Sequence, residues 1–174
     1  MHFLGYSSCG VGFVCNIKNE KSYQIVKWGI EAVKNLTHRG AIGGDGKTGD
    51  GAGILIHIPK KFFADFLNEK SLEISDINNL AVGVFFFYKD LRSSVEEYIK
   101  GSPFKFIGWR EVPVDPSAVG ESALKVMPKI FHLLLDTEKV EKEKVELELY
   151  FLRRLIEKDS LLGKNVYIAS LSSK

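Results

Sequence analysis

Residues 38–58 read HRGAIGGDGKTGDGAGILIHI, and the elements on either side of this stretch decide between two fold classes. Gly46, Lys47 and Thr48 match the end of a phosphate-binding loop, but the opening glycine should then stand at position 41, which is Ala41; Gly40 comes one residue too early. Such a loop also follows a strand and opens a helix, so that the helix N-terminus faces the anion. Here the order is reversed. Upstream, Ser22 reads as an N-cap, and Ile25, Trp28, Ala32, Val33 and Leu36 recur at helical spacing over Tyr23 to Leu36. Downstream, Ala52 to Ile58 reads as a buried strand stopped by Pro59. Asp45 and Asp50 do not fit a calcium loop either, because no bidentate Glu follows at the required place. The glycines need another explanation: backbone with φ > 0, or close approach by something packed on the loop.

Working outward, Cys9 to Ile17 (CGVGFVCNI) alternates small or polar residues with apolar ones and reads as a strand. Lys60 to Lys70 reads as an amphipathic helix, Leu80 to Tyr88 as a strand, Ser93 to Lys100 as a helix closed by Gly101, and Phe104 to Val112 as a strand ended by Pro113 and Pro116. Ser122 to Val126 reads as a helical turn, Lys129 to Leu135 as a strand, Val140 to Lys158 as the longest helix and Asn165 to Leu171 as a final strand. In the long helix Val145, Leu149, Leu152 and Ile156 fall on one face; barely two heptads long, that stripe is a core face and not a coiled coil. About six strands and four helices without strict βαβ alternation predict an α+β fold over a doubly wound sheet.

Net charge is only +2 and no Lys/Arg cluster is interleaved with aromatics, which argues against nucleic acid or an anionic membrane as partner. The longest apolar run, Leu80 to Tyr88, is about half of the ~20 residues a spanning helix needs. MHFLGYSS lacks the features of a secretion signal, so the expected location is the cytoplasm. Two cysteines, Cys9 and Cys15, are too few for an iron–sulfur cluster and should be free thiols in a reducing compartment. Four histidines show neither i, i+4 pairing nor a carboxylate at metal-ligand spacing, so no metal is expected; His57, in an apolar strand pattern, reads as structural.

A cysteine on a strand is more often a small buried hydrophobe than a nucleophile, and Cys15, mid-strand in an apolar run, keeps that reading. Cys9 has different company. Gly10-Val11-Gly12-Phe13 follows it, then Thr37-His38-Arg39-Gly40-Ala41, then the loop ending Thr48-Gly49-Asp50-Gly51-Ala52-Gly53. This series resembles the amidotransferase domain at the start of the glutamate synthase large subunit. Gly108-Trp109-Arg110-Glu111-Val112-Pro113-Val114-Asp115, the Pro128 region, Leu149 to Ile156 and Ser170-Leu171-Ser172-Ser173 agree with the same family, so the resemblance covers nearly the whole chain.

The resemblance implies a four-layer αββα sandwich of the N-terminal-nucleophile type, a propeptide at residues 1–8, and a class II glutamine amidotransferase domain over residues 9–174, truncated before its C-terminal half. It implies Cys9 as the nucleophile, Arg39 as an organiser of the site, and Gly40, Gly43, Gly44, Asp45 and Lys47 as a mobile loop that contacts the synthase domain. For Arg39 a plainer role stands beside this one, an ion-pairing cation near a helix C-terminus. L-glutamine is the implied substrate, and the synthase domain, in the same chain or a separate subunit, is the implied partner. FMN and an iron–sulfur cluster are implied in other domains, and no cofactor in this chain. The family's oxyanion-hole Asn-Gly and its carboxylate-binding arginine lie beyond Lys174, so the chain alone is expected to be weak or inactive. Cys15 stands where the family usually has a small residue such as alanine. Two alternatives remain at this point: another class II amidotransferase with a different ammonia acceptor, and a non-catalytic regulatory or docking module of the same fold.

Overall fold

A computed structural model describes residues 10–18 and 20–174. The chain divides into two compact units, Met1–Ile56 with Asp115–Lys125, and His57–Val114 with Val126–Lys174.

The second unit is built on strand β1 (Leu80–Phe87), whose sequence LAVGVFFF is apolar at nearly every position. A strand with two dry sides has to be central, and β1 is flanked on both sides in an antiparallel sheet of order β2-β3-β1-β4, with β2 Lys105–Glu111, β3 Lys129–Asp136 and β4 Val166–Ser172. On one face Ala81, Phe85, Phe87, Phe131, Leu133, Leu135 and Ile168 pack with Val95 and Ile99 of helix α3 (Arg92–Lys100) and with Val145, Leu149, Leu152 and Ile156 of the long helix Val145–Lys158. On the other face Leu80, Val82, Ile107 and Leu134 pack with Phe63 and Leu67 of helix α2 (Lys60–Glu69). The α+β expectation holds: one antiparallel four-stranded sheet carries helices on both faces.

Two bulges reconcile the pleat with these faces. Phe106 pairs with Leu135 and Gly108 with Leu134, so Ile107 is the extra residue of β2. It joins the α2 side, while Phe106 and Trp109 both reach the opposite face, their rings 6.2 Å apart. In β4 the register shifts between Val84, opposite Ser170, and Phe85, opposite Ile168, leaving Ala169 over. Ile168 and Leu171, three residues apart, thereby share one core. The Gly-Trp-Arg stretch is an architectural unit: Trp109 stands edge-on to Phe85 and Phe87, each at 5.5 Å, and donates Nε1–H to Glu96 at 2.8 Å. Arg110 points to the other side, over the Phe62 ring at 4.8 Å, with Nη1 3.5 Å from His132 Nδ1. Buried Asp136 accepts from Ser75 N–H, Ser75 Oγ–H and Glu138 N–H at 2.9, 2.9 and 3.0 Å, which fixes the 70–79 loop to the end of β3.

Several expectations are corrected. Of the strand expected over Cys9 to Ile17, Cys9 lies outside the described residues, and 10–17 form no strand. The strand expected over 52–58 is also absent, and His57 is exposed. Both stretches have the alternation of a strand, but a strand also needs a backbone partner to complete its ladder. Among the described residues, Ile58 N–H to the Lys174 carbonyl, at 3.4 Å, is the start of such pairing and not a ladder. Cys15, read as buried, is exposed for the same reason: among the described residues no strand covers it. The long helix begins at Val145 and not Val140, because Val140 to Lys144 make single turns onto Thr137 and Glu141 before the apolar stripe starts. The helical turn expected over 122–126 is helix α4 at Glu121–Leu124. The long helix is therefore α5, and α6 is the short Leu162–Asn165 before β4.

Gly83 leaves room for its neighbours. A Cβ there would lie 2.5 Å from Phe85 Cε2 and 3.0 Å from Leu171 Cδ1, and Phe85 has no accessible surface into which to withdraw. Gly83→Ala is expected to lower unfolding free energy by about 1–3 kcal/mol through overpacking, read from urea denaturation. His132 supplies a pH dependence. Burial, with Arg110 alongside, lowers its pKa from 6.5 to about 4. The unfolded chain therefore binds the proton first. The stability is fully present above pH 6.5 and is lost as pH falls toward 4. His132→Gln should flatten the decline between pH 6.5 and 4.5, and an unchanged slope would assign that decline to other groups.

Candidate active site

Helix α1 (Tyr23–Asn35) starts where the sequence places it: Ser22 Oγ accepts from Gln24 N–H at 3.1 Å. Its half-buried positions are Ile25, Val26, Gly29, Ala32, Val33 and Leu36, at i, i+3, i+4 spacing; Trp28, expected on this stripe, is 51% exposed. The helix end is closed by the residues that follow it. Thr37 Oγ–H donates to the Lys34 carbonyl at 2.5 Å, and His38 Nδ1 lies 2.9 Å from the Asn35 carbonyl. Thr37–Arg39 then forms one 3₁₀ turn, with Gly40 N–H bonded to the Thr37 carbonyl at 3.1 Å. Thr37 and His38 thus satisfy carbonyls that a helix end leaves open, and in doing so they fix the backbone of Arg39.

Cys9, the expected nucleophile, lies outside the described residues. Its neighbour Gly10 is described. A Cβ built on Gly10 would lie 3.0 Å from Leu36 Cδ2, so the residue after Cys9 packs on the last turn of the helix whose cap leads into Arg39.

The glycine-rich loop is closed by its own hydrogen bonds. Asp50 N–H donates to the Ala41 carbonyl at 3.2 Å, and Asp50 Oδ2 accepts Ala41 N–H at 2.9 Å. Gly43 N–H meets the Thr48 carbonyl at 2.5 Å, Ile42 and Gly49 form an isolated antiparallel bridge, and Gly43 to Gly46 make a turn closed at 3.0 Å. Gly46 has φ +69°, a conformation glycine adopts without steric cost. The hub is Asp45. Oδ1 accepts from Lys47 N–H at 3.0 Å and Thr48 N–H at 2.7 Å, as an Asx turn does. Oδ2 accepts from Thr48 Oγ–H at 2.5 Å and from Ser122 N–H of α4 at 3.2 Å. These bonds, those of Thr48 and Lys47 foremost, hold the Asp45 carboxyl well below the usual carboxylate range.

The expected loop residues differ in what they do locally. Asp45 holds the loop together. Gly43 lies under the Thr48 carbonyl, 3.1 Å from an added Cβ, whereas an added Cβ at Gly44 meets nothing within 4 Å. Lys47 contributes its N–H to the hub. Sequence reasoning missed Thr48, Gly120 and Ser122. An Asp-x-x-Thr spacing could have pointed to the Asx turn, but nothing in the sequence signals the 77-residue step from Asp45 to Ser122. Among the described residues no group of three or more His, Cys, Asp or Glu side chains could hold a metal ion, and no helix is long and apolar enough to cross a membrane.

Comparison with known proteins fits this layout. The family of class II glutamine amidotransferases matches residues 9–174, beginning at the cysteine. The chain is 39% identical over 180 residues to the glutamate synthase [NADPH] large chain of Azospirillum brasilense, covering 97% of this chain and 12% of that protein. It is 36% identical over 177 residues to the chloroplastic ferredoxin-dependent glutamate synthase of Oryza sativa subsp. japonica, and 35% identical over 178 residues to the ferredoxin-dependent glutamate synthase of Cyanidium caldarium. It spans about an eighth of the length of the first of these relatives and 11% of each of the others. With a family match that runs from Cys9 to Lys174 over an α+β scaffold, the chain belongs to the class II glutamine amidotransferases.

Proposed function

We propose that this chain is the N-terminal part of the glutamine-hydrolysing domain of a glutamate synthase, releasing ammonia from L-glutamine for transfer to 2-oxoglutarate. The observation that carries the proposal is the family match opening at Cys9, together with the packing of Gly10 on the capped helix end that leads into Arg39. The relatives named glutamate synthase support the choice of acceptor.

Residues 1–8 are removed and Cys9 becomes the first residue. Its α-amino group, with pKa near ~8, is partly neutral at physiological pH and takes the proton of the thiol, whose pKa is near ~8.5. The thiolate attacks the side-chain amide carbon of glutamine. The tetrahedral adduct collapses as the ammonium returns its proton to the leaving nitrogen, and ammonia departs. Water then hydrolyses the γ-glutamyl thioester to glutamate and free thiol. Arg39 organises the site. Residues 39–47 form the element that contacts the synthase domain and responds to its state.

The domain takes the four-layer αββα form, with the sheet β2-β3-β1-β4 as one inner layer, and its location is the cytoplasm. FMN and an iron–sulfur cluster belong to the synthase part. Two cysteines in the whole chain do not make a cluster site, and no step of the glutaminase reaction is assigned to either group.

In the protein that carries this chain with its synthase domain, a glutamine-mimicking alkylator should label Cys9, and intact mass should show a chain starting at Cys9. Cys9→Ala should lower glutaminase activity on the order of 10⁴-fold or more. Full activity in a chain that begins at Met1, or labelling elsewhere, would overturn the mechanism. Gly44→Ala, which meets no neighbour in the loop, should leave unfolding unchanged and weaken the dependence of glutaminase activity on synthase ligands. An unaltered dependence would remove Gly44 from the coupling element.

A further inference from the structure

The glycine-rich loop closes on itself through bonds between near neighbours, and none of those bonds sets where the loop sits. The bond that does so runs from Ser122 N–H, at the start of α4, to Asp45 Oδ2 at 3.2 Å. The residue before α4 is shaped for this approach. A Cβ at Gly120 would lie 2.6 Å from both Asp45 Oδ2 and Thr48 N, and closer still to Thr48 Oγ1. Only a residue without a side chain lets the loop come this near, and only the carboxylate in the middle of the loop uses the free N–H that the first turn of α4 offers. The α4 segment is held in turn by its own local caps: Asp115 Oδ1 accepts Ser117 N–H at 3.0 Å and Ser117 Oγ–H at 2.6 Å, closing the 3₁₀ turn Pro116–Ala118. Loop and anchor are therefore two locally ordered pieces joined by one polar contact.

We infer that Gly120 and the Ser122 N–H form the anchor that sets the position of the glycine-rich loop, so that Asp45, Thr48, Gly120 and Ser122 are positioning residues for glutamine hydrolysis and its response to the synthase domain. This rests on the function proposed above. The loop cannot move as a body without breaking the Asp45–Ser122 bond, and the exposed bonds inside it open more often once that bond is lost. A signal reaching either side of the contact is therefore felt on the other.

The test uses the complete protein and two independent variants. Ser122→Pro deletes the N–H in the first turn of a helix, where proline is tolerated. Gly120→Ala keeps the N–H and forces Thr48 and Asp45 away. Hydrogen exchange of the amides of Gly43, Thr48 and Asp50 should rise roughly tenfold in both, while the amides of β1 and β3 keep their protection and report an intact fold. Stimulation of glutaminase activity by synthase ligands should fall toward none, through a raised KM for glutamine. Ser122→Ala, which keeps the N–H, should retain the parent's exchange and ligand response. Unchanged exchange at residues 43, 48 and 50 in both variants would overturn the anchor. Faster exchange with an intact ligand response would overturn its positioning role. Failure of the underlying glutaminase assignment would appear separately, as absence of alkylator labelling at Cys9 in the parent.

Discussion

The second unit depends on a strand that is apolar on both faces. Leu80, Ala81, Val82, Phe85 and Phe87 are all buried, and they divide between two apolar clusters on opposite sides of the sheet. Leaving either side of β1 in water would forfeit burial of large aromatic surfaces, each ~150–250 Å². Neighbours on both edges and helices on both faces follow from that. The two bulges have the same origin. Strict alternation would send Ile107 or Trp109 in β2, and Ile168 or Leu171 in β4, to the wrong side. One extra residue in each strand corrects the phase.

The unit that holds the candidate site is ordered by different means. Apart from the bond between Asp45 and Ser122, its side-chain hydrogen bonds are short-range and exposed: Ser22 to Gln24, Thr37 to Lys34, Asp45 to Lys47 and Thr48, Asp115 to Ser117. Bonds of this kind fix a backbone conformation without the large apolar area that makes a core costly to open, so such segments occupy the low end of the range of local opening free energies. The division of labour is physical: apolar burial holds the sheet, and side-chain caps hold the loops.

What the sequence revealed, and what it hid, follows the range of each interaction. The Ser22 cap, the 145-149-152-156 stripe and the strand at Leu80 to Tyr88 are local or periodic, and all were legible. The α1 stripe was half legible, because Trp28 suggested burial by its chemistry while the helical phase turns Gly29 inward instead. Strands at 10–17 and 52–58 were misread, since alternation reports a face and cannot report whether a partner strand is present. The bulges were invisible because Ile107 and Ala169 differ in no way from ordinary strand residues. The glycine density was seen but its cause was not. Gly46 answers to φ, Gly43 and Gly120 answer to close approach, and the last of these depends on a contact between residues far apart in sequence.

The chemistry proposed for Cys9 explains why so modest a scaffold is enough around it. In a Ser-His-Asp site three side chains from separate elements must be held in register, and the fold carries the cost of aligning them. When the base is the nucleophile's own amine, nitrogen and sulfur are already joined through Cα and Cβ, and their effective concentration is intrinsic to the residue. The fold then has one residue to orient. The residue after it, Gly10, lies against Leu36, at the end of the helix that Thr37 and His38 cap. The same economy makes the site dependent on its surroundings. On the proposed chemistry, proton transfer is settled within one residue, and the control left over rate is the position of the groups around the thiol.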